Sequence, residues 1–205
     1  AAVSAREFWA VALILKVASM QKVTDIYGPV PYSHYGQGGT TVAYDSQEAI
    51  YNRFFSELDT AVNSLKTYIA SFPGATPFQR FDNIYNGDYT KWLKFANSIR
   101  LRLAMQIVKA DPVTAQLQAE KAVDPANGGV FTSNADNALT MKVSQGSLYL
   151  VAHVWGGIRV NAAIISYMNG YKDPRISQYF EPSTVAPGQY VGIRIGTNNL
   201  PKLVS

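Results

Sequence analysis

Residues 5–22, "AREFWAVALILKVASMQK", carry apolar side chains on nearly every face of a helical projection. A helix of that kind is buried on most of its surface, and Trp9 is read as part of the core. Its apolar run, residues 8–20, is interrupted by Lys16 and falls short of the roughly 20 residues that span a bilayer. A signal-peptide reading would use Arg6 as the charged flank and "VAS" as the cleavage site, but Glu7 abuts the run. A buried helix is the better reading.

The next helix has the clearest period. Ile50, Tyr51, Phe54, Phe55, Leu58, Ala61, Val62, Leu65, Tyr68 and Ile69 repeat at helical spacing. Asp45 followed by Glu48 has the spacing of a capping box, which puts the helix start at Asp45. A third helix is expected from Asp88 to about Lys109. Trp92, Phe95, Ala96, Ile99, Leu103 and Ile107 form its buried stripe, and Lys91, Lys94, Arg100 and Arg102 its polar side. Asp111-Pro112 opens a short fourth helix, which ends before Asn127. A fifth covers residues 160–168, with Asn169-Gly170 as its stop, and Asp173-Pro174-Arg175 starts another short turn of helix. Residues 130–143 read as mixed and partly strand-like, and the tail from Glu181 as loop.

Between the first two helices, residues 24–44 hold Pro29, Pro31, Gly28, Gly36, Gly38 and Gly39. That density forbids a helix, and a long irregular segment inside a compact domain tends to be functional or disordered. Tyr27, Tyr32, His34, Tyr35 and Tyr44 in it argue for order.

Composition narrows the function. Only 16% of the 205 residues are charged, against roughly 25% in an average domain, and the formal net charge is +4. So thin a field does not suit a nucleic-acid partner held by charge. Aromatics make up 12% of the chain, which excludes disorder. The absence of cysteine removes disulfides, iron–sulfur clusters, thiolate zinc sites and a thiol nucleophile. His34 and His153 lack spaced partners, and no nucleotide-binding or nucleophile-elbow motif is present, so no catalytic residue, metal site or cofactor is assigned. The stretch "DNIYNGD", residues 82–88, has oxygen ligands but not the spacing of a calcium loop. The acids are otherwise expected at helix caps (Asp45, Asp88, Asp111) or on solvated helix faces (Glu57, Asp59, Glu120).

The pattern is therefore mainly α, with helices paired across long loops. Trp92, Phe95-Ala96 and Ile99 match the first helix of a tetratricopeptide repeat; the second-helix positions fall on Val108, Pro112 and Ala115, where the proline misfits.

Four blocks carry a family resemblance. "DIYGPVPY" (25–32), "YDSQEAIYNRFFSELDTAV" (44–62), "IYNGDYTKWLKFANSIRLRLAMQI" (84–107) and "ISYMNGYKDPRISQYF" (165–180) together resemble the SusD-like (RagB/SusD) family. The resemblance implies a tetratricopeptide-like helical scaffold with long irregular loops. It implies a lipoprotein of Bacteroidota on the outer face of the outer membrane, held there by an N-terminal lipid anchor outside this chain. It further implies a binder of oligosaccharide, polysaccharide or another nutrient that serves a TonB-dependent β-barrel transporter (SusC-like), with no catalysis. The family's lipidation cysteine and the helical region after it have no counterpart, and members continue well beyond the last residue here. The chain is thus expected to be a single SusD-like domain, residues 1–205, internal to a longer protein.

No binding residue transfers from the family, so candidates come from chemistry. Sugar recognition pairs flat aromatic faces with amides or arginine. The glycine-flanked Tyr32, His34 and Tyr35 form one candidate; the alternative is that "DIYGPVPY" packs the first helix on the scaffold, with Tyr27 as packing and Asp25 satisfying backbone N–H groups of the turn. Trp155 with Arg159 and Asn161 in "HVWGGIRVN" forms the second, Gly156-Gly157 leaving the indole open; the alternative is a core tryptophan. Asp173 and Arg175 are read as pinning a helix junction. Two rival functions stay open: a helical-repeat adaptor for peptide or protein, and a glycoside hydrolase with paired carboxylates.

Overall fold

The computed structural model describes residues 6–38, 41–139, 150–155 and 158–197. The chain clusters into two compact units, residues 1–141 and 142–205.

The first unit is built from four helices: α1 (Arg6–Tyr27), α2 (Gln47–Ser71), α3 (Tyr89–Gln106) and α4 (Pro112–Val123). Each packs on the next along the chain. The core is the stripe that periodicity picks out: Ile50, Phe54, Leu58 and Leu65 of α2 meet Trp92, Ala96 and Leu103 of α3, all buried. Ala96, fully buried, leaves room for close helix approach, and the Trp92 ring meets Tyr85 edge-on at 5.3 Å. Among the described residues there are only isolated bridges and no strand.

Several sequence expectations are corrected. α1 runs five residues further than 22, and its buried positions (Ala10, Leu13, Ile14, Val17, Gln21, Thr24) make a stripe rather than a buried cylinder. Trp9 lies off that stripe and is 62% exposed. Gly28 stops the helix with φ 73, a left-handed conformation that other residues adopt at a cost. Its N–H donates to the Thr24 carbonyl at 2.8 Å, and Thr24 Oγ1 donates to the Gly28 carbonyl at 2.7 Å.

α2 is capped by Ser46, whose Oγ accepts the Ala49 N–H at 3.2 Å, because Asp45 is engaged in the preceding loop. Asp88 and Asp111 do cap α3 and α4, and Pro112 takes the first turn of α4. α3 stops at Gln106 rather than near Lys109.

Neither Glu57 nor Arg100 faces solvent. Glu57 is buried and takes Lys16 at 2.8 Å and Arg53 at 3.3 Å. Arg100 is buried, with Nη2 2.7 Å from Asp59 Oδ1 and Nη1 donating to Gln118 Oε1 at 2.6 Å. Asp59 also takes Lys121 at 2.7 Å.

The described part of residues 130–143 is not strand: it holds a one-turn 3₁₀ helix, Asn134–Asp136, with a capping box from Ser133. Asp136 accepts the Thr132 N–H at 3.0 Å and Lys94 Nζ at 3.0 Å, which hold its carboxyl down to about 2.

In the second unit a one-turn π-helix (Leu150–Val154) precedes α5 (Ala162–Gly170) and α6 (Ile176–Tyr179). α5 starts at the Asn161 cap and includes Gly170, so Asn169-Gly170 is not its stop. A parallel bridge joins Asn161 to Ile193, with Ile193 N–H donating to Val160 at 2.8 Å. The bridge needs Gly192: a Cβ there would lie 2.6 Å from the Asn161 carbonyl oxygen.

Candidate functional site

The loop between α1 and α2 is ordered by Asp45. Its N–H donates to the Val30 carbonyl at 3.0 Å, and its carboxylate accepts Tyr32 N–H at 2.9 Å, Ser33 N–H at 2.7 Å and Ser33 Oγ–H at 2.7 Å. The Ser33 donors, with the Tyr32 N–H, hold the Asp45 carboxyl below the usual carboxylate range.

That arrangement separates the loop's candidates. Tyr32 turns inward and is 5% exposed; its ring meets Phe54 edge-on at 5.2 Å, Lys16 Nζ sits 4.2 Å over it, and its hydroxyl donates to Glu57. A ring so enclosed has no free face for a ligand. Burial and the Glu57 hydrogen bond push its phenol up, so it stays neutral throughout the working range. His34 and Tyr35 sit outside, Tyr35 at 78% exposed. Tyr27 is exposed too, contrary to its reading as a packing residue. Asp25 does not serve the turn backbone; it accepts Tyr51 O–H at 2.6 Å and Gln21 Nε2 at 3.0 Å.

Asp25 lies at the edge of a cleft of about 630 Å³ lined by Gln47, Glu48, Tyr51, Gln106 and Asp111 among others. Gln106 Nε2 reaches Asp25 at 3.2 Å, and burial with the Asp25 hydrogen bond pushes the Tyr51 phenol up. Beside the apolar Ile107 and Ala110, the polar lining is amides, carboxylates and one tyrosine, which is chemistry for hydroxyl groups rather than for anions. Among the described residues no group of three or more His, Cys, Asp or Glu could hold a metal ion. Asp82 of "DNIYNGD" is already saturated by Ile84, Tyr85 and Gly87 N–H and the Trp92 indole.

In the second unit Trp155 closes the π-helical turn through its N–H to the Leu150 carbonyl at 2.8 Å, and its side chain is 62% exposed, not core. Arg159 is half-buried, with Nη1 3.0 Å from the Ile158 carbonyl. Gly156, Gly157 and the side chain of His153 lie outside the described residues.

The model of the SusD-like family, SusD and RagB outer membrane lipoproteins, matches residues 1–204. The chain belongs to the SusD-like family. No curated protein matches this SusD-like chain. Solved structures do. A chitin-binding SusD homologue from Flavobacterium johnsoniae is 43% identical with a TM-score of 0.86, over 92% of this chain and 39% of that one. A SusD homologue from Bacteroides thetaiotaomicron is 40% identical with a TM-score of 0.82, over 97% of this chain and 40% of that one. A chitin-binding protein is 38% identical with a TM-score of 0.76, over 92% of this chain and 41% of that one. The SusD-like chain thus spans about two fifths of the length of the homologues it matches. Their helical scaffolds agree with the tetratricopeptide-like expectation.

Sequence reasoning missed one pair in this SusD-like chain. Tyr167 in the last turn of α5 and Tyr171, the residue that caps its C-terminus, have parallel rings, 6.4 Å between centroids and 3° between planes. They are 67% and 81% exposed. The signal was there as Y-x-x-x-Y, beside Ile165 and Met168 on the buried face.

Proposed function

We propose that this chain is part of a non-catalytic carbohydrate-binding lipoprotein on the outer face of the outer membrane, which passes glycan to a TonB-dependent β-barrel transporter. The observation that carries the reading is 43% identity, at a TM-score of 0.86, to a chitin-binding SusD homologue. The surface chemistry supports it. Tyr35, Trp155 and the Tyr167–Tyr171 pair are exposed aromatics, and the cleft at Asp25 offers amides and carboxylates. Aromatic faces take the C–H side of a sugar, and Tyr and Trp freeze few rotamers in doing so. Tyr35, His34, Trp155 and Arg159 remain the proposed ligand contacts; Tyr32 drops out because its ring is enclosed.

Affinity electrophoresis of the full-length protein against chitin, starch, xylan and laminarin tests this, with chromatography of the recovered glycan. Retardation by at least one polysaccharide, with the glycan unshortened, is expected. Shortened products identify a hydrolase instead. No retardation, with capture of a peptide, identifies an adaptor.

A further inference from the structure

We propose that Tyr167 and Tyr171 form a stacking subsite that holds consecutive pyranose units of a neutral glycan. The proposal rests on the carbohydrate-binding reading and places a contact where none was assigned.

The subsite is a product of helix geometry. Ile165 and Met168 turn α5 toward the buried side, which leaves the i, i+4 columns Ser166–Gly170 and Tyr167–Tyr171 outside. Those four residues line a shallow groove of about 350 Å³. A Cβ on Gly170 would meet nothing within 4 Å, so the groove is open above it.

The backbone beneath the rings is fixed. Tyr171 N–H donates to the Tyr167 carbonyl at 2.9 Å, which keeps one ring a turn above the other. Asp173 N–H then closes on Met168 at 2.9 Å, and the Asp173 carboxylate clamps Arg175 through N–H at 3.0 Å and Nε at 2.9 Å.

The occupant follows from size and charge. The groove residues Ser166, Tyr167, Gly170 and Tyr171 carry no charge; beyond them Asp173 and Arg175 pair with each other, which leaves Lys172 as the one nearby cation among the described residues of this turn. Four residues make a patch far smaller than the roughly 800 Å² per partner of a stable protein interface. It suits a flat neutral body a few sugar rings long, laid against the exposed side of the tyrosine pair.

Calorimetry on the full-length protein tests it, with chitohexaose, maltohexaose, xylohexaose and laminarihexaose as probes. The wild type is expected to bind at least one. For that probe, Tyr167→Ala/Tyr171→Ala is expected to weaken binding at least about tenfold, with an unchanged melting temperature because both rings are exposed. Tyr167→Phe/Tyr171→Phe keeps both faces and is expected to bind as the wild type does. Gly170→Leu keeps both rings but fills the groove, and is expected to lose binding. Wild-type affinity in the double alanine variant overturns the subsite and leaves the carbohydrate reading standing. No binding of any probe by the wild type removes that reading and the subsite with it. If the double alanine variant keeps the glycan but no longer co-purifies with the transporter, the pair is a protein contact and the proposal is wrong.

Discussion

The Trp92 indole N–H donates to Oδ2 of Asp82 at 2.7 Å, across the loop that leads into α3. The same carboxylate accepts Ile84 and Tyr85 N–H on Oδ1 and Gly87 N–H on Oδ2. One side chain thereby shapes the loop and anchors the tryptophan at the centre of the repeat.

Asp82→Asn places an NH₂ where one oxygen received two donors, and is expected to cost about 2–4 kcal/mol at neutral pH, measured by denaturant unfolding. Burial raises the Asp82 carboxyl, but the Tyr85, Trp92, Ile84 and Gly87 donors outweigh it and hold it below the usual range. A carboxyl lowered by folding stabilises above its unfolded value, about 3.9, and that stabilisation is lost as pH falls through the folded value. The gap between wild type and variant is therefore expected to narrow in acid. A gap independent of pH refutes the assignment.

The Arg100–Asp59 pair makes an asymmetric prediction. Asp59→Ala leaves a buried guanidinium uncompensated and is expected to cost about 3–5 kcal/mol, whereas Arg100→Met substitutes apolar volume and is expected to cost much less. Thermal melts of both variants decide it; equal losses contradict the account.

Tyr32→Phe removes only the hydrogen bond to Glu57, which keeps Lys16 and Arg53. A loss of about 1 kcal/mol in stability is expected, with glycan binding unchanged. Weakened binding with intact stability would return Tyr32 to the ligand site.

Gly192→Ala pushes a methyl against the backbone at Asn161 and Ala162. It is expected to break the hydrogen bonds that join Ile193 to Val160 and Ala162, at a cost of about 1–3 kcal/mol. Faster amide exchange at Ile193 and Ala162 is the readout. Unchanged exchange shows that the chain accommodates the methyl.

The helices were legible where one face is buried. α2 shows its stripe because it packs on both α1 and α3, and Asp88 and Asp111 declare their caps by position. Trp9 misled because apolar residues surround α1, and only tertiary packing decides which of them it buries. Asp45 misled because an aspartate before a helix can cap it or tie the loop behind it, and Ser33 and Tyr32 supplied the better donors. Arg100 and Glu57 have polar identities, but their partners lie on other helices, at Asp59 and Lys16. Of the proposed contacts, Tyr35 in the first unit and Trp155 in the second were legible as exposed aromatics from the glycine that follows each. The Tyr167–Tyr171 pair was not, because Y-x-x-x-Y shows nothing of exposure until Ile165 and Met168 fix the helix face.

The most direct measurement is a crystal structure of the full-length protein with chitohexaose bound. The account predicts pyranose rings lying on the faces of Tyr167 and Tyr171 with every glycosidic bond intact. A hexasaccharide bound elsewhere with both rings bare, or present only as shorter products, would contradict it.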